Sequence, residues 1–368
     1  MIMKRNVESN SVSLRLRKPY TKADMSAHTV LTDDVFSYVD FYFKTHKRVI
    51  KDSMGKQVKQ NYSFYWNQSR YFYNATKMLP IESAPLPMYY CMLNAVKSFL
   101  LYHSASYDSI KNDLSRHGLT ENSSSDDYTL NEIKVCYKKS GIFPRFASML
   151  DESFLHIWNS GADHALSIKQ LLTHIPFVHA AYVSTYNVPR KNERFVPLKA
   201  NDSPCFRFGS DKHIYLVADL DRGYFKNTAT TIPEEIKKSL PSVVTVNPDE
   251  GFQLISTDYM RKNQIKNHYS ELRKCFAYIK SDKRLWYLVR NLPVEAGGHS
   301  LNPMLVEYAI VHRFSEIVRY KPEQLVNILQ GKENWLVHEF LSLVVDQFMD
   351  EIACEITRQE IMPTRVKE

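Results

Sequence analysis

The apolar pattern near the end of the chain predicts a buried helix from Asn302 to Tyr320. Asn302 can cap a helix, Pro303 fits its first turn, and Pro322 stops it near Tyr320. Glu307, in the first turns, suits the positive end of the helix dipole. Apolar residues lie on nearly every side of this helix, as expected in a core: Met304, Leu305, Val306, Tyr308, Ala309, Ile310, Val311, Phe314, Ile317 and Val318.

Helical spacing recurs toward both ends of the chain. A helix is predicted from Thr32, a possible cap, to about Lys47. The stretch 88–103 is almost as apolar as 302–320, and 130–140 reads as a short helix that ends at Gly141. The remaining predicted helices are 65–78, 168–173, 323–329 and 334–357.

The middle of the chain has a different pattern, typical of strands and turns. Short runs rich in aromatic and β-branched residues are separated by Pro, Gly, Asn and Asp. The predicted strands are 178–185, 205–208, 213–219, 252–256 and 284–290.

These patterns predict an α+β fold in which helices from both chain ends form one core around an antiparallel β-rich insert. The predicted organisation has four parts: an N-terminal arm over 1–30, an N-terminal helical region over 31–175, the β-rich insert over 176–300, and a C-terminal helical region over 301–368 that packs on the N-terminal helices.

Composition narrows the functional classes. The chain has 368 residues, and only 10 of them are glycine, which argues against Gly-rich nucleotide loops. Its five cysteines have no metal-ligand or redox spacing, and no apolar run is long enough to cross a membrane. We therefore expect a cytoplasmic protein without a cofactor or a metal site, and without a membrane partner.

Charged groups cluster in the second half of the helix 302–320. Glu316 follows His312 by four residues and Arg313 by three, and it precedes Arg319 by three, so its carboxylate can meet all three side chains. Asn94 and Lys97, on the other apolar helix, are the natural partners of this cluster. A buried ion-pair network and a ligand or catalytic site are both consistent with such a pattern.

A second charged feature is the basic stretch 261–290, in which aromatic residues alternate with cations. Cations attract phosphates and rings stack on bases, as in grooves for single-stranded nucleic acid. The alternatives are a solvated helix followed by a core strand, and a site for an acidic protein. The candidate nucleic-acid ligands are Lys262, Lys266, Arg273, Lys274, Lys283 and Arg284.

Several blocks resemble the bacterial YaaC-like family. They are RYFYNATK at 70–77, PLPMYY at 85–90, LNAVK at 93–97, the triplet His117-Gly118-Leu119, and the segment 308–322 that ends in VRYKP. One departure is Leu325, where that family usually has Trp. The resemblance implies a mainly helical bacterial cytosolic protein and carries no established activity.

A looser resemblance is to HEPN domains, suggested by the tyrosine-rich helix 65–78 and the apolar helix with Asn94 and Lys97. Active members are metal-independent ribonucleases that pair Arg and His on one helix across a dimer. The resemblance implies Arg261 with His268 as catalytic candidates. Arg116 with His117 form a second candidate pair, although a cation and Gly118 are also typical of a plain helix end.

The sequence thus favours a protein that associates with nucleic acid, either RNA or single-stranded DNA, or with protein partners, inside a bacterial assembly of the phage-defence type. A dimeric, metal-independent ribonuclease is the alternative, and a purely structural interaction module is a third possibility. A homodimer is compatible with each of the three.

Overall fold

The computed structural model of the protein describes residues 14–58, 62–121, 129–199, 204–208, 214–225, 232–240, 244–246, 252–256, 265–281, 285–294 and 297–364. The chain divides into two compact units. The helical unit consists of Thr32–Pro189 and Leu301–Thr357, and the β-rich unit consists of Met1–Leu31, Arg190–Ser300 and Arg358–Glu368. The fold class is α+β, with helices from both chain ends in one core, as the sequence predicts.

The helices are numbered along the chain. They are α1 Val35–Thr45, α2 Tyr62–Met78, α3 Pro85–His103, α4 Ile142–Leu150, α5 Phe154–Ile157, α6 Ile168–Leu172, α7 His179–Tyr186, α8 Glu234–Lys237, α9 Ile265–Lys274, α10 Pro303–Tyr320, α11 Pro322–Gln330 and α12 Asn334–Thr357. None of these described helices has the length and apolar character needed to cross a membrane.

The described strands are short. They are β1 Leu14–Arg15, β2 Val30–Leu31, β3 Ile50–Lys51, β4 Gln57–Val58, β5 Leu119–Glu121, β6 Lys134–Tyr137, β7 Leu166–Ser167, β8 Phe195–Pro197, β9 Cys205–Phe208, β10 Ile214–Asp219, β11 Val244–Val246, β12 Gln253–Ser256, β13 Phe276–Ile279, β14 Leu285–Val289 and β15 Ile361–Met362.

Helix α10 lies in the middle of the helical unit, packed on α3 and α12. It begins where predicted, because the Asn302 side chain accepts a hydrogen bond from the Met304 N–H at 3.1 Å. Tyr308 is fully buried, and its ring contacts those of Phe143 and Phe348. Close packing of this kind around one helix holds the buried side chains of α10 in place.

Two short predicted elements are wrong. Residues 130–140 were predicted as a helix, but Lys134–Tyr137 form strand β6, which pairs with β5 and β7. Residues 178–185 were predicted as a strand, but His179–Tyr186 form α7. Ala180 and Ala181 favour a helix there more than Val183 opposes it, and Asn187 ends it in the left-handed conformation.

The β-rich unit contains a five-stranded antiparallel sheet in the order β1-β9-β10-β12-β11 and a three-stranded sheet in the order β13-β14-β8. Residues 14–31, predicted as part of an arm, belong to this unit: β1 pairs with β9 and β2 pairs with β15. The ends of the chain are also joined by side chains, since Arg17 lies 3.3 Å from the Glu360 carboxylate and Lys18 donates to the Ile361 carbonyl at 2.6 Å.

Candidate functional site

Helices α3 and α10 and the segment 116–118 bring titratable side chains together in the helical unit. We call this group the paired-histidine site, and its members are Tyr89, Lys97, His117, His312, Glu316 and Arg319. Four of these six side chains were predicted as part of a polar cluster and His117 as a catalytic candidate. Tyr89 was not singled out by the sequence, although it lies in one of the blocks that resemble a known family.

Helical periodicity explains the contribution of α10. His312, Glu316 and Arg319 are spaced by four and three residues, so they follow one face of the helix. The Nδ1 atom of His312 lies 3.7 Å from the Glu316 carboxylate. The predicted meeting of Glu316 with His312 and Arg313 therefore occurs, whereas Arg319 donates instead to the Tyr90 hydroxyl at 3.2 Å.

His117 is held by backbone interactions at the start of α4. The carbonyl oxygens of Arg116 and His117 accept hydrogen bonds from the N–H groups of Ile142 and Phe143, at 2.8 and 3.1 Å. Gly118 has a φ of +79°, and a Cβ built there would lie 2.6 Å from the Pro144 Cδ. The chain therefore requires glycine directly after His117, which explains the His-Gly pair.

The imidazole of His117 is joined to the core through two hydroxyl groups. Its Nδ1 lies 2.6 Å from the Tyr89 hydroxyl oxygen, which is 3.4 Å from the Tyr308 hydroxyl oxygen. If Tyr308 donates to Tyr89, Tyr89 donates to Nδ1 and His117 presents an N–H at Nε2. If both hydroxyls rotate, Nδ1 donates to Tyr89 and Nε2 presents a lone pair. The same histidine can thus offer a proton donor or a proton acceptor.

His312 lies next to His117, and the two ring centroids are 5.8 Å apart. His312 is 4% exposed, and its Nδ1 has no hydrogen-bond partner among the described residues. Burial, followed by the positive charges of His117, Arg313 and Arg319, lowers the pKa of His312 to about 3. At neutral pH the buried ring is therefore uncharged and has an unsatisfied nitrogen.

The outer part of the site is cationic. The side chain of Lys97 is half-buried, with its ammonium 5.3 Å from the centre of the Tyr65 ring, and burial lowers its pKa. Burial, followed by the positive charges of Lys97 and Arg319, also lowers the pKa of His117. The positive charges of Lys97, Arg319 and protonated His117 repel one another. An anion bound between these three side chains would therefore be stabilised.

The remaining members of the predicted cluster have structural roles. Arg313 lies 2.7 Å from the Glu121 carboxylate and 3.5 Å from that of Glu316, so its charge is compensated. Asn94 donates to the Tyr90 carbonyl of its own helix at 2.7 Å. Glu121 was missed by sequence reasoning, because nothing at the end of a short strand marks it as a partner of α10.

Aromatic rings border the cationic side. Tyr320 is 70% exposed, and the Arg319 guanidinium lies 5.6 Å from the centre of its ring. Tyr90, partly exposed, stacks on Phe72 with ring centroids 5.2 Å apart. A flat ligand can stack on Tyr320 while its charged part reaches Arg319.

The structure describes only part of the basic stretch 261–290, and several of the side chains that it describes there are buried or paired. Arg273 is 1% exposed and donates to the backbone carbonyl of Lys18, and its guanidinium lies 3.9 Å from the centre of the Tyr20 ring. Lys274 forms an ion pair with Glu271. The aromatic residues predicted to stack on bases are mostly buried in the β-rich unit: Tyr269, Phe276, Tyr278 and Trp286.

Several predicted residues of this stretch lie outside the described part of the chain. These are Arg261, Lys262, Lys283 and Arg284, together with the side chains of Lys266 and His268. The Arg261–His268 pair therefore stays a prediction. Arg116, in the other predicted pair, is exposed, and its side chain makes no hydrogen bond with the residues that the structure describes.

Glu307 departs from its predicted role at the helix dipole. It is 0% exposed, and neither carboxyl oxygen has a hydrogen-bond partner among the described residues. Burial, followed by the charge of Glu351, raises the pKa of Glu307 well above its usual value. No group of three or more His, Cys, Asp or Glu side chains in the described ranges is arranged to hold a metal ion.

Comparison with known proteins identifies a family for this chain. A family model described as YaaC-like Protein matches residues 29–356. No curated protein and no solved structure matches the chain. The matched region includes every residue of the paired-histidine site.

Proposed function

This chain belongs to the YaaC-like family, and we propose that it binds single-stranded nucleic acid, with a phosphate group held at the paired-histidine site. The observation that carries the proposal is the position of His117 near two cations, Lys97 and Arg319: burial, followed by their positive charges, lowers the pKa of His117. An anion removes this repulsion, and a phosphate accepts hydrogen bonds from all three side chains.

Charge balance supports a site for an anion. Glu316 is the nearby acidic group, but Arg313 lies 3.5 Å from it and also pairs with Glu121. Neither Lys97 nor Arg319 forms an ion pair with a carboxylate in the described part of the chain, and Arg319 interacts with Glu316 only at longer range, so both charges are available to a ligand. The net charge of +8 at pH 7 attracts a polyanion over a longer range.

A neighbouring exposed ring favours nucleic acid over a small inorganic anion. Tyr320 directly follows Arg319 and is 70% exposed. Stacking of a base on an aromatic side chain contributes about 1–3 kcal/mol and tolerates any base, because every base has a π face. Arg319 would bind the phosphate and Tyr320 would stack on the base. Together they would hold one nucleotide of a single strand.

The test is equilibrium binding of a fluorescent single-stranded RNA at several salt concentrations. Lys97→Met and Arg319→Gln should each weaken binding and each reduce the slope of log affinity against log salt by about one. Lys44→Met is the matched control, since Lys44 is an exposed cation of the same unit, paired with Asp40. Unchanged affinity and slope in both site variants would refute the proposal.

Metal-independent cleavage of RNA is a second candidate, favoured by the Tyr308–Tyr89–His117 chain. In this reaction the RNA 2′-hydroxyl oxygen attacks the adjacent phosphorus, and its proton moves to Nε2 of His117 while Nδ1 donates to Tyr89. Arg319 stabilises the charge on the phosphoryl oxygens. The bond from phosphorus to the 5′-oxygen breaks, and that oxygen takes a proton from the Lys97 ammonium. The products are a 2′,3′-cyclic phosphate and a 5′-hydroxyl.

Cleavage is tested in excess chelator, with the same RNA carrying a single 2′-deoxy nucleotide as the substrate control. We expect His117→Ala to lose about a hundredfold or more in rate, and the deoxy substrate to be bound but not cut at that position. His338→Ala, an exposed histidine on α12, is the protein control. RNA cleavage that needs a metal ion, or that survives His117→Ala, would exclude this cleavage mechanism. The proposal that the site binds nucleic acid would still stand.

Two further expectations stay predictions. They are membership of a phage-defence type of assembly and a cytoplasmic location. Neither is needed for phosphate binding at the paired-histidine site.

A further inference from the structure

One face of α2 is apolar and exposed along the whole helix. Phe64, Tyr71 and Met78 are 56%, 63% and 85% exposed, and they are spaced by seven residues. We call these three residues the α2 stripe. At 1.5 Å per residue the stripe is roughly 21 Å long.

The stripe is directed away from the core of its own unit. The buried residues of α2 are Tyr62, Trp66, Ser69 and Thr76. With 3.6 residues per turn, the α2 stripe lies diametrically opposite this buried side. The part of the chain that the structure describes leaves this stripe largely uncovered, which marks it as a candidate interaction surface.

The exposed side of α2 also lacks charge. The residues beside the stripe are neutral: Asn67, Gln68, Asn74 and Ala75. Arg70 and Lys77 are the two charged residues of α2, and both are bonded within the same unit, to Asp34 at 3.2 Å and to Asp346 at 2.7 Å. A face without charge does not repel a copy of itself, although the chain as a whole carries +8.

The spacing of the stripe suits a second copy of the same chain as the partner. Tyr71 lies at the midpoint of the stripe, with Phe64 and Met78 equally far on either side. When two copies of α2 pack antiparallel about a two-fold axis at Tyr71, Phe64 of each copy meets Met78 of the other. Asn67 and Asn74 lie on the same side of the stripe, so Asn67 of one copy then faces Asn74 of the other, and two amides can hydrogen-bond with each other.

We propose that the chain forms a two-fold symmetric dimer in which the α2 stripes of two copies pack antiparallel. This inference does not depend on the paired-histidine site. The face is apolar, uncharged and symmetric about its central residue, which is what a self-complementary interface requires and what an acidic or basic partner would not use.

The mass of the full chain in solution, measured by light scattering during gel filtration, tests the dimer. Wild type is expected at twice the mass of one chain, and Tyr71→Glu at the mass of one chain, because two charges would meet at the axis. Trp335→Glu is the matched control: Trp335 is a 51% exposed aromatic residue of the same unit, outside the stripe, and this variant should remain a dimer. Circular dichroism verifies that each variant is folded.

A cysteine variant tests the symmetry itself. Tyr71→Cys should cross-link to its own counterpart with a short bis-maleimide, whereas Trp335→Cys should not. The native cysteines Cys91, Cys136, Cys205 and Cys354 are buried and Cys275 is partly buried, so wild type provides the background. A monomeric wild type, a dimer that persists in Tyr71→Glu, or equal cross-linking of both variants would overturn the proposal.

Discussion

Tyr89 illustrates how a neutral residue can determine what a histidine does. Its hydroxyl lies between the Tyr308 hydroxyl and the Nδ1 of His117, so its orientation decides which tautomer His117 adopts. The sequence marked His117 and the α10 cluster, because charged residues on an apolar helix are conspicuous. The sequence did not predict that His117 and the α10 cluster lie together. The hydroxyl group that links them belongs to Tyr89, which is one of 23 tyrosines in the chain.

The affinity for RNA should depend on pH through His117. Burial and the charges of Lys97 and Arg319 lower its pKa in the unliganded protein, and a phosphate raises it by opposing these charges. Binding then takes up a proton, so affinity is highest below the unliganded pKa and falls as pH rises through the bound pKa. Anisotropy titrations between pH 5 and 8 should give this trend. His117→Gln should flatten it, and an identical trend in that variant would contradict the assignment.

Glu307 should make the stability of the protein depend on pH. Its pKa is raised in the folded state, so the folded protein retains a proton that the unfolded chain releases. The free energy of unfolding should therefore fall as pH rises from the ordinary pKa of a glutamate toward the folded value. Glu307→Gln has no proton to lose and should show a smaller fall in thermal unfolding. Glu323→Gln, at an exposed position on α11, should behave as wild type.

Among the helices and strands, the long elements were predicted correctly, and the wrong predictions concern short elements. The helices α10 and α12 have long apolar runs, and their observed limits agree with the predicted ones to within a residue. The errors fell on β6 and α7, where four to eight residues carry too little periodicity to separate a strand from a helix. Pairing with distant segments decides such elements, and a local pattern does not contain that information.

The close approach of Gly118 and Gly141 is an element-scale feature that supports the site. A Cβ at Gly141 would lie 2.7 Å from the Gly118 Cα and 2.9 Å from the Arg116 carbonyl oxygen, and Gly141 has a φ of +123°. We expect Gly141→Ala to cost at least about 3 kcal/mol in unfolding free energy, from backbone strain and the clash together. The displaced turn should also weaken RNA binding.

Gly161→Ala is the control for this prediction. Gly161 has a similar φ of +109°, but nothing lies within 4 Å of a Cβ built there. In Gly161→Ala, backbone strain alone should lower the free energy of unfolding, by about 1–3 kcal/mol. This variant should keep its affinity for RNA. Equal losses of stability in urea for the two variants would mean that the close approach contributes nothing.

For the whole molecule, both units are assembled from segments that are distant in sequence. The helical unit joins Thr32–Pro189 to Leu301–Thr357, and the β-rich unit joins both ends of the chain to Arg190–Ser300. The sequence predicted the meeting of the helical ends because both are strongly apolar. It did not predict that residues 14–31 pair in the β-rich unit, since two-residue strands have no recognisable pattern.

The basic stretch shows the limit of composition at this scale. Its cations and rings are the residue types that bind nucleic acid, yet Arg273 and most of the described rings are buried in the β-rich unit. Composition indicates which chemistry is available in a chain. Burial decides which of those groups a ligand can reach, and that depends on the packing of the entire unit.

The most direct test of the central claim is photo-cross-linking of a single-stranded RNA that carries one photoreactive thiouridine, followed by mapping of the modified residues. Binding at the paired-histidine site predicts adducts on α10 at Tyr320 and on α3 at Tyr90, reduced by an excess of unlabelled RNA and lost in Arg319→Gln. Adducts confined to residues 261–290, or no specific adduct at all, would contradict the account.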